Sequence, residues 1–356
     1  MPVSSALIVG VGMVTAVGIG AKQTAASVRA GIAGMAETSV YDKRFCSFRM
    51  GLVPDEALPT LAPPLDEMIG LTARQRRMLR LGGLALQEVL MGVTNTASIP
   101  VLLGAPEALP GRPDPTGNQF LTHLATQAVT PFNLERSKLF PQGRAAGLMA
   151  LKEGMELVAS GQAAQVVVGG VDTYLDLYLL GTMDLEDRIL ADGVMDGFIP
   201  GEGAGFLLLV SEKAMSEGQK LLARLVGVAT GVETGHRYSD ATYRGEGLAG
   251  TVQQLFSVAP PSSQPVRTVY AGFNGESFWA KEWGVVYLRS REKFDDTVRM
   301  EHPVDCFGDP GAALGPIMVG LAAIGMHKGH LTGPSLAWCS SDREQRAATL
   351  VEGLPD

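Results

Sequence analysis

The chain has 356 residues, with 29 basic against 37 acidic side chains, a formal charge of −8 and a pI near 5.3. That balance argues against a general nucleic-acid or anionic-membrane surface. A hydrophobic content of 46% with 19% charged residues describes an ordered globular protein, long enough for two fused halves, divided here as 1–215 and 216–356.

Cys46, Cys306 and Cys339 are odd in number and far apart, with no CxxC spacing, so they read as reduced thiols of a cytoplasmic protein. The opening residues MPVSSALIVGVG lack a basic leader, and their apolar run is too short to span a bilayer. Residues 6–11 predict a first strand ending in Gly10 and Gly12. Thr15 stands where a dinucleotide loop would place its third glycine, and no acid follows at ribose distance, so no nucleotide cofactor is expected. A helix over 21–30 closes at Gly31, and the prolines at 54, 59, 63 and 64 make 40–71 an irregular cover. Thr72 caps a helix reaching about Met91. Its Arg74, Arg76, Arg77 and Arg80 read as a solvated face, the alternative being a dock for an acidic partner.

Strands are predicted at 99–103 and 137–140. A helix over 144–160 follows, with Leu148, Leu151, Met155 and Val158 on one buried face. After a buried strand at 165–169 comes a loop-rich crossover, 172–192. It leads into MDGFIPGEGAG at 195–205, a glycine loop feeding the apolar strand 206–210, in which Glu202 must be paired or strongly hydrogen-bonded. The second half repeats this order, with strands at 223–230, 267–271, 304–307, 335–339 and 347–351 and helices near 246–257, 278–290 and 311–327. A duplicated α/β core is the simplest reading.

The block at 195–205 closely resembles the DGF-x-x-GEGAG block of the β-ketoacyl-acyl carrier protein synthases. ALIVGVGMVTAVG likewise resembles their first strand, with Val9 and Ala16 where the family has Thr and Pro. The likeness is clear over 5–30 and about 144–212, and weak but ordered after 265. It implies the thiolase-like fold, an α/β architecture of five layers (α-β-α-β-α) with two central mixed sheets. Gly201, Glu202, Gly203 and Gly205 would then be structural, bracing the floor of the active site.

The same resemblance implies a cysteine nucleophile in A-C-x-x-G, at a helix N-terminus where the macrodipole and free amides favour thiolate and oxyanion. Here the stretch is PQGRAAG at 141–147, and Arg144 falls on the cysteine position. Arginine takes up no acyl group. Cysteine-free members, the chain-length factors and loading decarboxylases, carry glutamine there, but Gln142 comes two residues early. The first family histidine maps to Phe273 or Asn274, and the second to Asp309, or to Gly308 without a gap. The family lysine maps to Val304 or Pro303, and SSDREQ at 340–345 replaces the glycine-rich oxyanion loop. Condensation activity is therefore expected to be lost.

Arg144, Asn274, Glu276, Asp309 and Asp342 become the candidate pocket, either as a buried ion-pair network or as a polar-ligand site. A salt bridge from Arg144 to Asp309 or Glu276 is expected, because an unpaired buried guanidinium at a helix N-terminus is costly. The rival places Arg144 in solvent with Asp309 capping the helix near Gly311. His327 and His330 read as a surface pair and Cys306 as an inert buried thiol; no metal or cofactor is expected.

The resemblance thus implies a catalytically silent ketosynthase homologue in a fatty-acid-like or polyketide-like pathway. It would act as a partner of an active ketosynthase or as a binder of acyl groups or acyl carrier protein. The alternatives are an acyltransferase or decarboxylase using Asn274, Glu276 and Asp309, or a non-catalytic scaffold homodimer. The expected assembly is a homodimer or heterodimer formed through 137–140, burying Leu139 and Phe140.

Overall fold

Segments such as Gln165–Thr173 (QVVVGGVDT) and Glu202–Val210 (EGAGFLLLV) are buried at consecutive positions, the pattern of strands covered on both faces. In the computed structural model, which describes residues 5–112, 114–215, 218–259 and 264–354, both are central strands of one mixed sheet. Its ten main strands are β1 (Ala6–Thr15), β2 (Val101–Gly104), β3 (Lys138–Phe140), β4 (Gln165–Thr173), β5 (Glu202–Val210), β6 (Ala223–Val232), β7 (Val266–Tyr270), β8 (Phe294–Glu301), β9 (Ser335–Ser340) and β10 (Gln345–Glu352). They lie in the order β8-β7-β9-β10-β6-β1-β5-β4-β2-β3.

Outward from the centre, the first half runs β1-β5-β4-β2-β3 and the second β6-β10-β9-β7-β8. The permutation is the same. The two mixed half-sheets join only where β1 and β6 pair antiparallel, with Ala6, Leu7 and Ile8 opposite Leu225, Arg224 and Ala223.

Helices repeat too: α1 (Ala73–Val89), α2 (Phe120–Ala128) and α3 (Ala146–Ala159), then α4 (Glu246–Val258), α5 (Ser277–Arg289) and α6 (Leu314–His327). α3 and α6 contact each other and strands of both halves, forming a central layer. α1 and α2 cover the outer face of the first half-sheet, and α4 and α5 that of the second. This is the five-layer arrangement that the resemblance implied. α6 is buried almost all round because it has a sheet on either side. The helices can cross closely because Gly147 has no side chain: a Cβ there would sit 2.3 Å from Pro316 Cδ.

Four local expectations change. Residues 304–307 are a helical turn (Val304–Phe307), not a strand. The third strand of that half is β8, FDDTVRME, whose polar residues face solvent at the sheet edge and so left no apolar signal. The crossover 172–192 contains a helix, Leu177–Leu185, whose N-cap Asp176 accepts from the Leu179 amide at 2.9 Å. The cover over 40–71 is partly regular, with an Ala36–Tyr41/Ser47–Met50 hairpin and short helical turns. Finally, 202–205 is extended strand and not loop; its glycines answer close packing, since a Cβ on Gly205 would sit 2.8 Å from Ile317 Cγ1. No helix among the described residues is long and apolar enough to cross a membrane.

Candidate functional site

Each central helix begins with one tight turn, Gly143–Ala145 before α3 and Gly311–Ala313 before α6. Gly143 and Gly311 open those turns at φ 68° and 54°, a region other residues avoid. Arg144 lies inside the first turn and is 3% exposed. Its Nε is 3.0 Å from Asp309 Oδ2, so the expected ion pair is present. The Nε–H is not aimed at that oxygen and Nε has no hydrogen-bond partner, which makes the contact coulombic. The hydrogen bonds of the guanidinium go to main chain: Nη2 donates to Gly272 O at 2.7 Å and Nη1 to Ser340 O at 3.4 Å. Burial, the largest single influence, disfavours its charge, but Asp309, with Tyr174, Cys339 and Asp342 behind it, outweighs burial and the group is held protonated.

Asp309, 1% exposed, does both things the sequence offered as alternatives. Its Oδ2 faces Arg144, while Oδ1 accepts the Gly311 amide at 2.9 Å. Asn274 Nδ2 then bridges Asp309 Oδ2 at 3.0 Å to Glu276 Oε2 at 3.1 Å. Glu276 is not a partner of Arg144. It binds Arg188 through both carboxylate oxygens at 2.9 and 3.0 Å, and Arg237 at 2.7 Å. Arg188 also takes Asp342 at 2.7 and 3.0 Å. Despite burial, Arg188 and then Arg237 hold the Asp342 carboxyl below its ordinary range. Three guanidiniums (Arg144, Arg188, Arg237) thus face three carboxylates (Asp309, Glu276, Asp342).

Of the two positions matched to the first histidine, only Asn274 enters the network. Phe273 stacks on His302 at 5.4 Å and meets Trp338 edge-on at 5.2 Å. Gly308 supplies a backbone turn at φ 73°. Gln142 Oε1 is buried without a partner. A fourth acid, Glu107, lies over Gly143 and accepts the Asp342 amide at 3.0 Å. Burial, then the neighbouring Asp342 charge, pushes its pKa up to about 8, so it stays neutral and leaves the charges balanced.

The cavity here, lined by Arg74, Glu107, Arg144, Tyr174, Tyr238 and Asp342 among others, measures about 40 Å³. That holds water; small-molecule pockets run to about 300–1,000 Å³. The two buried thiols, Cys306 and Cys339, offer no substitute nucleophile. Burial raises the Cys306 pKa, and raises that of Cys339 to about 12.

Glu202 is fully buried and accepts four hydrogen bonds: Arg77 Nη2 at 2.6 Å, Arg77 Nε at 3.0 Å, and the Val53 amide and Thr173 hydroxyl at 2.8 Å each. The α1 arginines are therefore neither a solvated face nor a free dock. Arg74 pairs with Asp172 at 2.8 Å, Arg77 and Arg80 share Asp55 at 2.8 and 2.6 Å, and Arg76 reaches Asp66 at 3.5 Å.

Arg188, Arg237 and Glu107 escaped the sequence reading, as did the fully buried pair Arg346–Glu282 at 2.6 Å. Arg346 carried a signal, a charge opening the apolar run AATLV. Arg188 carried none, since its partners are 88 and 154 residues away.

No protein-family profile and no curated protein matches the sequence. In structure the chain is similar to a type II polyketide synthase acyl-carrier protein in complex with its ketosynthase, with TM-score 0.77, 15% identity and coverage of 99% of this chain and 100% of that one. It is similar to the ketosynthase from module 6 of the bacillaene synthase from Bacillus subtilis 168, with TM-score 0.80, 13% identity and coverage of 99% and 72%. It is also similar to the ishigamide ketosynthase/chain length factor, with TM-score 0.78, 14% identity and coverage of 99% and 100%. At these identities the likeness establishes the fold, that of the ketosynthases within the thiolase-like architecture.

Proposed function

We propose that the chain is a catalytically silent ketosynthase homologue that works as a partner subunit, pairing with an active ketosynthase or engaging its acyl carrier protein. The observation that carries this reading is Arg144. It stands on the acylated position by motif, is buried against Asp309, and is bonded to two carbonyls rather than to a substrate path. The ion-pair network fills the space where a thiolate and two imidazoles would meet, and the remaining cavity of about 40 Å³ admits no acyl chain. The same geometry speaks against an acyltransferase or decarboxylase built on Asn274, Glu276 and Asp309, because all three are saturated by one another and by arginines. A ketosynthase bound to its carrier protein and a ketosynthase/chain length factor among the structural neighbours are consistent with a partner role.

Pairing would use β3, which among the described residues bonds only to β2 and leaves its other edge open, with Leu139 half-buried and Phe140 7% exposed. Affinity capture from native lysate with mass spectrometry tests the reading. Recovery of a ketosynthase or an acyl carrier protein at stoichiometric yield supports it. Recovery of the chain only as a homodimer returns the protein to the scaffold alternative.

A further inference from the structure

The far end of α6, about 21 Å from its start for fourteen residues, opens on a second cavity of about 330 Å³. That volume lies within the small-molecule range of about 300–1,000 Å³. Leu321 and Ile324 of α6, Val28 of the helix Ala21–Arg29, and Leu331 give it apolar walls. Tyr270, the last residue of β7, also lines it. Tyr270 is only 6% exposed, yet its hydroxyl makes no hydrogen bond among the described residues, while every acid of the Arg144 network is satisfied. Burial and then Glu301 raise its pKa, so it stays a neutral donor.

Around the mouth stand Arg29 and Lys328, whose side chains have no ion pair or hydrogen bond among the described residues, and His330. Arg299 is there too, but it is neutralised by Glu301. Glu301 also lines the cavity but is balanced by Arg299, so on a chain of net charge −8 the two unpaired cations at the mouth of this partly apolar cavity make a local positive field. The negative end of α6 does not cancel it outright, because the Ile324, Gly325 and Met326 carbonyls are already taken. Gly329 N–H donates to Met326 O at 2.9 Å and His330 N–H to Gly325 O at 2.8 Å.

We propose that this cavity binds a small amphiphilic carboxylate, its acid group at Arg29 and Lys328, its apolar body along α6, and a hydroxyl or carbonyl at its inner end on Tyr270. The site is separate from the Arg144 network and does not rest on the partner role. The test is calorimetric titration of the full chain with straight-chain carboxylates of about six to ten carbons, their ω-hydroxy derivatives, and amines of equal length. Carboxylates are expected to bind saturably and amines not. Arg29→Glu/Lys328→Glu, both at the exposed mouth, should weaken carboxylate binding at least about tenfold. Tyr270→Phe should weaken only the ω-hydroxy acids, by about three- to tenfold. No saturable binding of any carboxylate, equal binding of amines, or indifference to the charge reversal would each overturn the proposal.

Discussion

At the start of α6 the free amides meet carboxylates: Gly311 N–H bonds to Asp309 at 2.9 Å and Ala312 N–H to Asp172 at 3.2 Å. At the start of α3, built by the same turn, the Ala145 N–H meets the neutral hydroxyl of Ser341 at 2.9 Å, and the turn itself carries a cation. A helix N-terminus favours negative charge by about 0.3–1 kcal/mol and disfavours positive charge by a similar amount. The acid-rich end of α6 therefore holds the cation-bearing end of α3, through Asp309 and Arg144. What a duplicated fold supplies twice as an anion-friendly helix end is here used once, and spent internally.

This asymmetry makes ordered predictions. Asp309→Ala should have the largest effect, about 3–5 kcal/mol of stability in urea unfolding, because it strands a buried guanidinium. Arg144→Met should cost about 1–2 kcal/mol less, since Asp309 keeps the Gly311 amide, Asn274 and the helix dipole. Equal losses would erase the asymmetry.

The second effect is a pH slope. Glu107 sits over the α3 turn but is neutral below about pH 8, against an ordinary value of 4.5. The folded state therefore holds a proton that the unfolded chain has released, and stability falls as pH rises from about 4.5 to 8. The cost is of the order of a few kcal/mol, at about 1.4 kcal/mol per unit. Glu107→Gln should flatten that slope in urea midpoints taken across the window. Asp342, whose carboxyl is held low, acts in the opposite sense and only in acid, so the two separate.

Third, Arg144→Met/Asp309→Leu should cost only about 1–2 kcal/mol, less than Asp309→Ala alone. A buried pair replaced by apolar groups is close to neutral, and what remains is the lost cap. Smallest is Ser341→Ala, which removes the neutral cap of α3, at about 1 kcal/mol. A Ser341→Ala loss as large as that of Asp309→Ala would mean that the two helix ends are held in the same way.

Where contacts are local or the side chains apolar, the sequence was legible. The apolar strand after the glycine block, the burial of Glu202 and the Thr72 cap could be anticipated from residue type, while motif register alone brought Asp309 and Glu276 to Arg144 as alternatives, of which Asp309 is the partner. β8 could not, because an edge strand facing solvent shares its composition with a loop. Nor could the α1 arginines be assigned, since a guanidinium reaching Asp172 or Glu202 across about a hundred residues looks in sequence like any solvated one. Arg188 was hidden for the same reason.

The most direct test of the central claim is the intact mass of the purified chain after incubation with malonyl- and longer acyl-thioesters. If Arg144 stands on the acylated position, as proposed, the mass is predicted to stay that of the unmodified protein, since burial raises the pKa of both Cys306 and Cys339. A stoichiometric acyl adduct mapped to Cys306 or Cys339, and not to the exposed Cys46, would contradict catalytic silence and favour the acyltransferase alternative.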